Sequence, residues 1–105
     1  TVWVACYLAN EVQRLDATSG TVLQRISFTK PNGVTALGED GSVAIAQNNG
    51  NKVSAYSSGG VHLWTSAGAK LSRVRGLAYI PEHDLVAVCA YNQKGQVQLL
   101  DALVG

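Results

Sequence analysis

Residues 42–60 read Ser42-Val43-Ala44-Ile45-Ala46-Gln47-Asn48-Asn49-Gly50-Asn51-Lys52-Val53-Ser54-Ala55-Tyr56-Ser57-Ser58-Gly59-Gly60, two short apolar runs on either side of Asn49-Gly50. Val43 and Ile45 fall on one side of an extended chain and Ala44 and Ala46 on the other, the period-two pattern of a strand. Asn-Gly accepts the positive φ that a tight hairpin turn requires, so the stretch reads as two antiparallel strands. The stretches TVWVACYLANEVQRLDATSG from Thr1 and LVAVCAYNQKGQVQLLDALVG from Leu85 repeat it. Val2, Val43 and Val86 correspond, then Val4, Ile45 and Val88, then Val12, Val53 and Val97, in steps of 41 and 43 residues between the leading valines. The first and third copies share Val-Gln-x-Leu-Asp-Ala-x-x-Gly at 12–20 and 97–105. A second register aligns Gly33-Val34-Thr35-Ala36-Leu37-Gly38-Glu39 with Gly76-Leu77-Ala78-Tyr79-Ile80-Pro81-Glu82.

Working outward, the alternation predicts strands over 1–6, 11–16, 22–28, 33–37, 42–47, 52–56, 61–65, 76–80, 85–90 and 96–100. Turn signals separate them: Thr18-Ser19-Gly20, Pro31-Asn32-Gly33, Asp40-Gly41 and Ser57-Ser58-Gly59-Gly60. Residues 66–75 place Ala67, Leu71 and Val74 at helical spacing, but no cap supports a helix, so a surface loop is expected there. A repeat of about 40–45 residues with four short strands is the size of a propeller blade. With strands named a to d from the centre outward, the order is b-c-d, a-b-c-d, a-b-c. The expected fold is therefore all-β: antiparallel four-stranded blades of β-propeller type, about two and a half of them. They form a single segment, in blade parts of approximately 1–32, 33–75 and 76–105. A closed propeller takes about four to eight blades. Open blade faces and unpaired edges are thus expected to seek partners, either other copies or the rest of a larger propeller, in a ring or a filament.

The unit resembles the NHL repeat and, more loosely, the YVTN-type repeats of β-propellers. The residues that carry the resemblance are Pro31-Asn32-Gly33-Val34, Asp40-Gly41-Ser42-Val43-Ala44-Ile45-Ala46, Asn51-Lys52-Val53, and Asn10-Glu11-Val12-Gln13-Arg14-Leu15-Asp16. It covers nearly the whole chain. Where those repeats often carry an Asp after Val-Ala, this chain has Cys6, Gln47 or Ala90, so the acidic loop contact of the family is missing. The resemblance implies architecture; propeller repeats serve enzymes, scaffolds and binders alike.

Composition narrows the functions. The 105 residues are 47% hydrophobic and 14% charged, with a net charge of +1. That balance argues against a nucleic-acid binder working through a basic face. No apolar run approaches the roughly 18 residues of a membrane-spanning helix. The chain has no methionine and starts inside an apolar run, as a piece of a longer or processed polypeptide would. No signal peptide or lipidation motif is visible. Low charge, Ser/Thr/Asn-rich turns and the resemblance favour extracellular use. No Asn-x-Ser/Thr sequon occurs, while O-linked sugars on Thr18, Ser19, Ser57, Ser58, Thr65 or Ser66 stay open.

Signs of chemistry are few. Cys6 and Cys89 fall in non-neighbouring blades at non-equivalent positions, so they are not expected to pair with each other, and two buried free thiols are expected. There is no Cys-x-x-Cys, no calcium loop, no Gly-x-Ser-x-Gly elbow and no Gly-rich phosphate loop, and no cofactor is expected. Glu82-His83-Asp84 reads as a solvated turn, and His62 as a partly buried structural residue on the same side of its strand as Trp64. Trp3 and Trp64 are expected between blades. The b–c and d–a loops share one rim, which gathers Tyr7, Asn10, Asn48, Asn49, Asn51, Tyr91 and Asn92 with Lys30, Arg73 and Arg75. The candidate ligand residues are Tyr7, Asn10, Asn48, Asn49, Arg73, Arg75, Tyr91 and Asn92, amides, phenols and cations suited to a glycan or an acidic partner. The leading expectation is a non-enzymatic structural or interaction module, part of a larger protein or self-assembling. The alternatives are a carbohydrate- or acid-binding propeller and a lactonase- or lyase-like enzyme. The enzyme would need convergent carboxylates, which the central strands 33–37 and 76–80 lack.

Overall fold

The computed structural model describes residues 1–47, 51–67, 73–90 and 97–105. The pattern of alternating apolar residues becomes ten strands: β1 (Val2–Cys6), β2 (Glu11–Leu15), β3 (Val22–Ser27), β4 (Pro31–Ala36), β5 (Val43–Gln47), β6 (Lys52–Tyr56), β7 (His62–Ala67), β8 (Val74–Ile80), β9 (Leu85–Ala90) and β10 (Val97–Asp101). They form three antiparallel sheets in the orders β1-β2-β3, β4-β5-β6-β7 and β8-β9-β10. This is the b-c-d, a-b-c-d, a-b-c series of propeller-type blades, and no helix occurs among the described residues. Of the stretch 66–75 expected as a loop, residues 68–72 lie outside the described residues. Ser66 and Ala67 extend β7, paired with Val53 and Lys52 of β6, and Val74, paired with Ala90 of β9, begins β8.

Each sheet buries a face on the next. Val12 and Ile26 of the first blade meet Val43 and Ile45 of the second, with Trp3, Phe28, Val34 and Tyr56 packed around them. The other side of the second blade presents Ala44, Ala46, Val53, Ala55 and Trp64 to Val74, Val86, Val88 and Ala102 of the third. Small alanines on one side let the larger valines of the next sheet approach, which keeps the interface close-packed. Trp64 is buried here and its Nε1–H donates to the Ala102 carbonyl at 3.0 Å. Trp3 is half-buried between the first two blades, with the Arg14 guanidinium 6.0 Å from its ring centre.

Irregularities repeat with the blades. One extra residue, Leu23, interrupts the β2–β3 ladder, and Leu63 does the same between β6 and β7. Asn32 and Arg75 are the extra residues at the starts of β4 and β8. The bulge at Leu63 corrects the expectation for His62. An inserted residue flips the alternation, so His62 lies on the Tyr56 side of the sheet, opposite Trp64. It is exposed, its ring 5.5 Å from that of Tyr56. The cysteines correct a second expectation: both are free, but Cys6 is half-buried and Cys89 exposed. They lie on the outward faces of the first and third blades, where no neighbouring sheet covers them among the described residues.

Candidate functional site

The loop rim is built by asparagines before it is lined by them. Asn10 and Asn51 end equivalent b–c turns with φ of 53° and 49°, a left-handed conformation that Asn tolerates better than most residues. Each then accepts a backbone N–H from the following d–a loop: Lys30 to Asn10 Oδ1 at 3.0 Å, and Arg73 to Asn51 Oδ1 at 2.8 Å. Lys30 and Arg73 are themselves left-handed, at 48° and 54°. Asn10 thus spends its carbonyl oxygen on the fold, and Arg73 spends its backbone amide. Tyr7 is exposed in the first b–c turn, and its carbonyl accepts the Asn10 N–H at 3.3 Å. Arg75 is exposed at the β8 bulge, on the far side of the second blade from Tyr7 and Asn10. The other expected ligand residues, Asn48, Asn49, Tyr91 and Asn92, lie outside the described residues.

The opposite rim is held by carboxylates acting as turn acceptors. Asp16 Oδ1 takes the amides of Thr18 and Ser19 at 2.9 Å each. Asp101 does the same for Leu103 and Val104. Ser57 substitutes in the second blade, its Oγ accepting the Val61 N–H at 3.2 Å. The shared Leu-Asp-Ala-x-x-Gly of the first and third copies is therefore a turn motif. The Ser19 amide, then that of Thr18, holds the Asp16 carboxyl below the usual aspartate range, and the Ser42 amide and hydroxyl do so for Asp40. Tyr79 donates its phenol to Asp84 Oδ1 at 2.7 Å, which pushes its pKa up. Among the described residues no three His, Cys, Asp or Glu side chains gather as a metal would need.

Two clefts open between the first and second blades. One, of about 430 Å³, lies between Trp3, Arg14 and the turn Gly38–Gly41. Gly41 has φ of 89°, and a Cβ there would meet Arg14 Nη1 and Ser58 Cβ at 2.8 Å, so this turn must be glycine for Arg14 to pass beneath it. The other, of about 590 Å³, runs from the loop rim outward between β3 and β6–β7. Asn10, Gln47 and Lys52 stand at its rim end, Phe28 and Tyr56 meet edge to face at 6.2 Å, and Ser54 and Thr65 share a hydrogen bond of 2.9 Å at its base. Loop position alone brings only Asn10 to attention. Phe28 and Thr29 follow β3 and the other lining residues sit on strands, and the available signal is the departure of the second copy from its siblings at 52, 54 and 56.

No family model matches the sequence, and no curated protein matches it. Among solved structures, 117 chains match. One is hydrazine synthase of Kuenenia stuttgartiensis, with a TM-score of 0.81 over 97% of this chain at 11% identity. The chain spans 30% of the length of that one. At this identity the likeness is one of fold.

Proposed function

We propose that the chain is a non-enzymatic interaction module whose two open blade faces dock further blades of its own kind, in the same polypeptide or in another copy. The observation that carries this reading is a repeated interface with its two outermost halves uncovered. Val97 and Leu99 on the third blade are 64% and 58% exposed, while their equivalents Val53 and Ala55 are fully buried. On the first blade Val2 is 48% exposed, against 0% for its equivalents Val43 and Val86. The two open faces thus carry the residue types that pair across both internal interfaces. Docking a third-blade face onto a first-blade face would repeat an interface the chain already makes twice. Exposed apolar surface of this kind marks association sites, and a head-to-tail contact closes a ring or extends a filament. The NHL-type resemblance fits such a role.

Gly76 provides the test. A Cβ on its equivalent, Gly33, would collide with the Arg75 carbonyl of the next blade. At Gly76 the nearest atom is Cys89 Cβ at 3.8 Å, an ordinary contact. Gly76→Ala should therefore leave the unit folded and obstruct a blade arriving on that face. Native mass and Cys89 thiol reactivity read the outcome. Docking is supported if the substitution lowers the mass or exposes Cys89, and contradicted if wild-type Cys89 already reacts as in the unfolded chain.

A further inference from the structure

The three copies differ most informatively inside the outer cleft. The residue after the central valine of strand c is Gln13 in the first blade and Gln98 in the third, but Ser54 in the second. Two positions on, Leu15 and Leu100 become Tyr56. The residue before that valine is Glu11 in the first blade and Lys52 in the second. On the first blade these positions are satisfied internally: Gln13 Nε2 donates to Glu11 Oε2 at 2.9 Å, and Arg25 pairs with the same oxygen at 3.1 Å. In the second blade a short hydroxyl replaces the long amide, and the position equivalent to Arg25 is Thr65. The shorter side chains leave the space of the cleft, about 590 Å³. That volume falls in the roughly 300–1,000 Å³ range of small-molecule sites.

Its lining is specific in kind. Thr29, Ser54 and Thr65 supply hydroxyls, and Phe28 and Tyr56 supply aromatic surface. Lys52 is the one ionised group among the lining residues, with no carboxylate beside it. All seven acidic residues are described, and the one ion pair among the described residues joins Arg25 to Glu11. The hydroxyls are held in place: His62 Nε2 and Ser54 Oγ both hydrogen-bond Thr65 Oγ1, at 2.7 and 2.9 Å. Gln47 donates to the Thr29 carbonyl at 2.9 Å, which leaves its own oxygen as an acceptor at the rim. Hydroxyls that both donate and accept match a polyol, aromatic surface matches the C–H face of a pyranose, and an unpaired ammonium matches a carboxylate.

We propose that this cleft binds a sugar acid, a hexose-sized polyol carrying one carboxylate, with Lys52 as the anion contact and Ser54, Thr65 and Tyr56 as hydroxyl and ring contacts. The site lies between two blades already present and does not depend on docking at the open faces.

The test is calorimetric titration of the protein with D-glucuronate, D-glucose and acetate, on wild type, Lys52→Gln, Tyr56→Leu and Ser54→Gln. The last two variants restore residues that the sibling blades carry, and thermal melts check that each folds. Glucuronate is expected to bind about tenfold or more tightly than glucose or acetate. Lys52→Gln is expected to erase the preference over glucose. Tyr56→Leu and Ser54→Gln are each expected to weaken glucuronate about tenfold or more. Equal binding of acetate and glucuronate would overturn the proposal, as would undiminished glucuronate binding in the folded variants, or no glucuronate binding by wild type at millimolar concentration.

Discussion

The side-chain oxygen of Asn10 accepts the backbone N–H of Lys30 at 3.0 Å, and 41 residues later Asn51 does the same for Arg73 at 2.8 Å. Each bond ties a b–c turn to the d–a loop that leads into the next blade, so it fixes how one sheet hands the chain to its neighbour. Asn10→Ala and Asn51→Ala each lose the bond and put alanine at a φ near 50°. Each is expected to cost about 1–3 kcal/mol in urea denaturation. Asn→Gly at the same sites removes the conformational part and should cost less than Ala; equal losses would assign the whole effect to the hydrogen bond.

Gly33 and Gly76 are equivalent in sequence and opposite in environment. Alanine at Gly33 would overlap the Arg75 carbonyl, while alanine at Gly76 meets only Cys89 Cβ at 3.8 Å. Gly33→Ala is therefore expected to destabilise the fold by about 2 kcal/mol or more, since backbone rather than a flexible side chain must move. Gly76→Ala should change the unfolding midpoint little. Comparable losses at both sites would mean that the Arg75 carbonyl is not what sets Gly33 apart from Gly76.

Much of this fold was legible in the sequence. The valines at 2, 43 and 86 gave the blade period, and the ten alternating runs became ten strands in the expected order. What escaped was anything that depends on one extra residue or on a third sheet. Alternation put His62 beside Trp64, but the unpaired Leu63 reverses it, and a bulge leaves no mark in a hydrophobic pattern. The cysteines look like core residues by type. Cys89 is exposed because the face it shares with Val97 and Leu99 has no covering sheet among the described residues. At the candidate site, Asn10 was recognised as a rim residue, but its role in the turn required the position of Lys30. The cleft residues Ser54 and Thr65 sit mid-strand and Tyr56 closes β6, where sequence reading expects packing; only comparison between blades singles out 54 and 56.

Trp64 joins the second and third blades through packing and through its hydrogen bond to Ala102. Gly105, at φ 92°, lies so close that a Cβ there would be 2.8 Å from Trp64 Cε3. Trp64→Phe is expected to cost about 2–4 kcal/mol, from lost volume and an orphaned carbonyl. Trp3→Phe, at a half-buried site, should cost less. The two denaturation midpoints decide between them.

The turn carboxylates set an acid limit and Tyr79 an alkaline one. Asp16 and Asp40 have lowered folded pKa values, so their contribution is present above the ordinary aspartate range and fades as pH falls below about 4. Tyr79 has a raised folded pKa, so its contribution is present below about pH 10 and fades as pH rises through the folded value. Denaturation midpoints of Asp16→Asn and Asp40→Asn should fall less steeply with acid than those of wild type, and Tyr79→Phe should flatten the alkaline side. Parallel profiles for variant and wild type would remove these groups from the pH response.

The central claim, that the outer face of the third blade is a docking surface, is tested most directly by the thiol of Cys89. The measurement is its labelling rate with an aromatic disulfide reagent in the native particle, on a Cys6→Ser background, with and without Gly76→Ala. A docked face should slow wild-type labelling by about tenfold or more relative to the unfolded chain, with the rate recovering in Gly76→Ala. Labelling of the native wild type as fast as the unfolded chain, unchanged by Gly76→Ala, would contradict it.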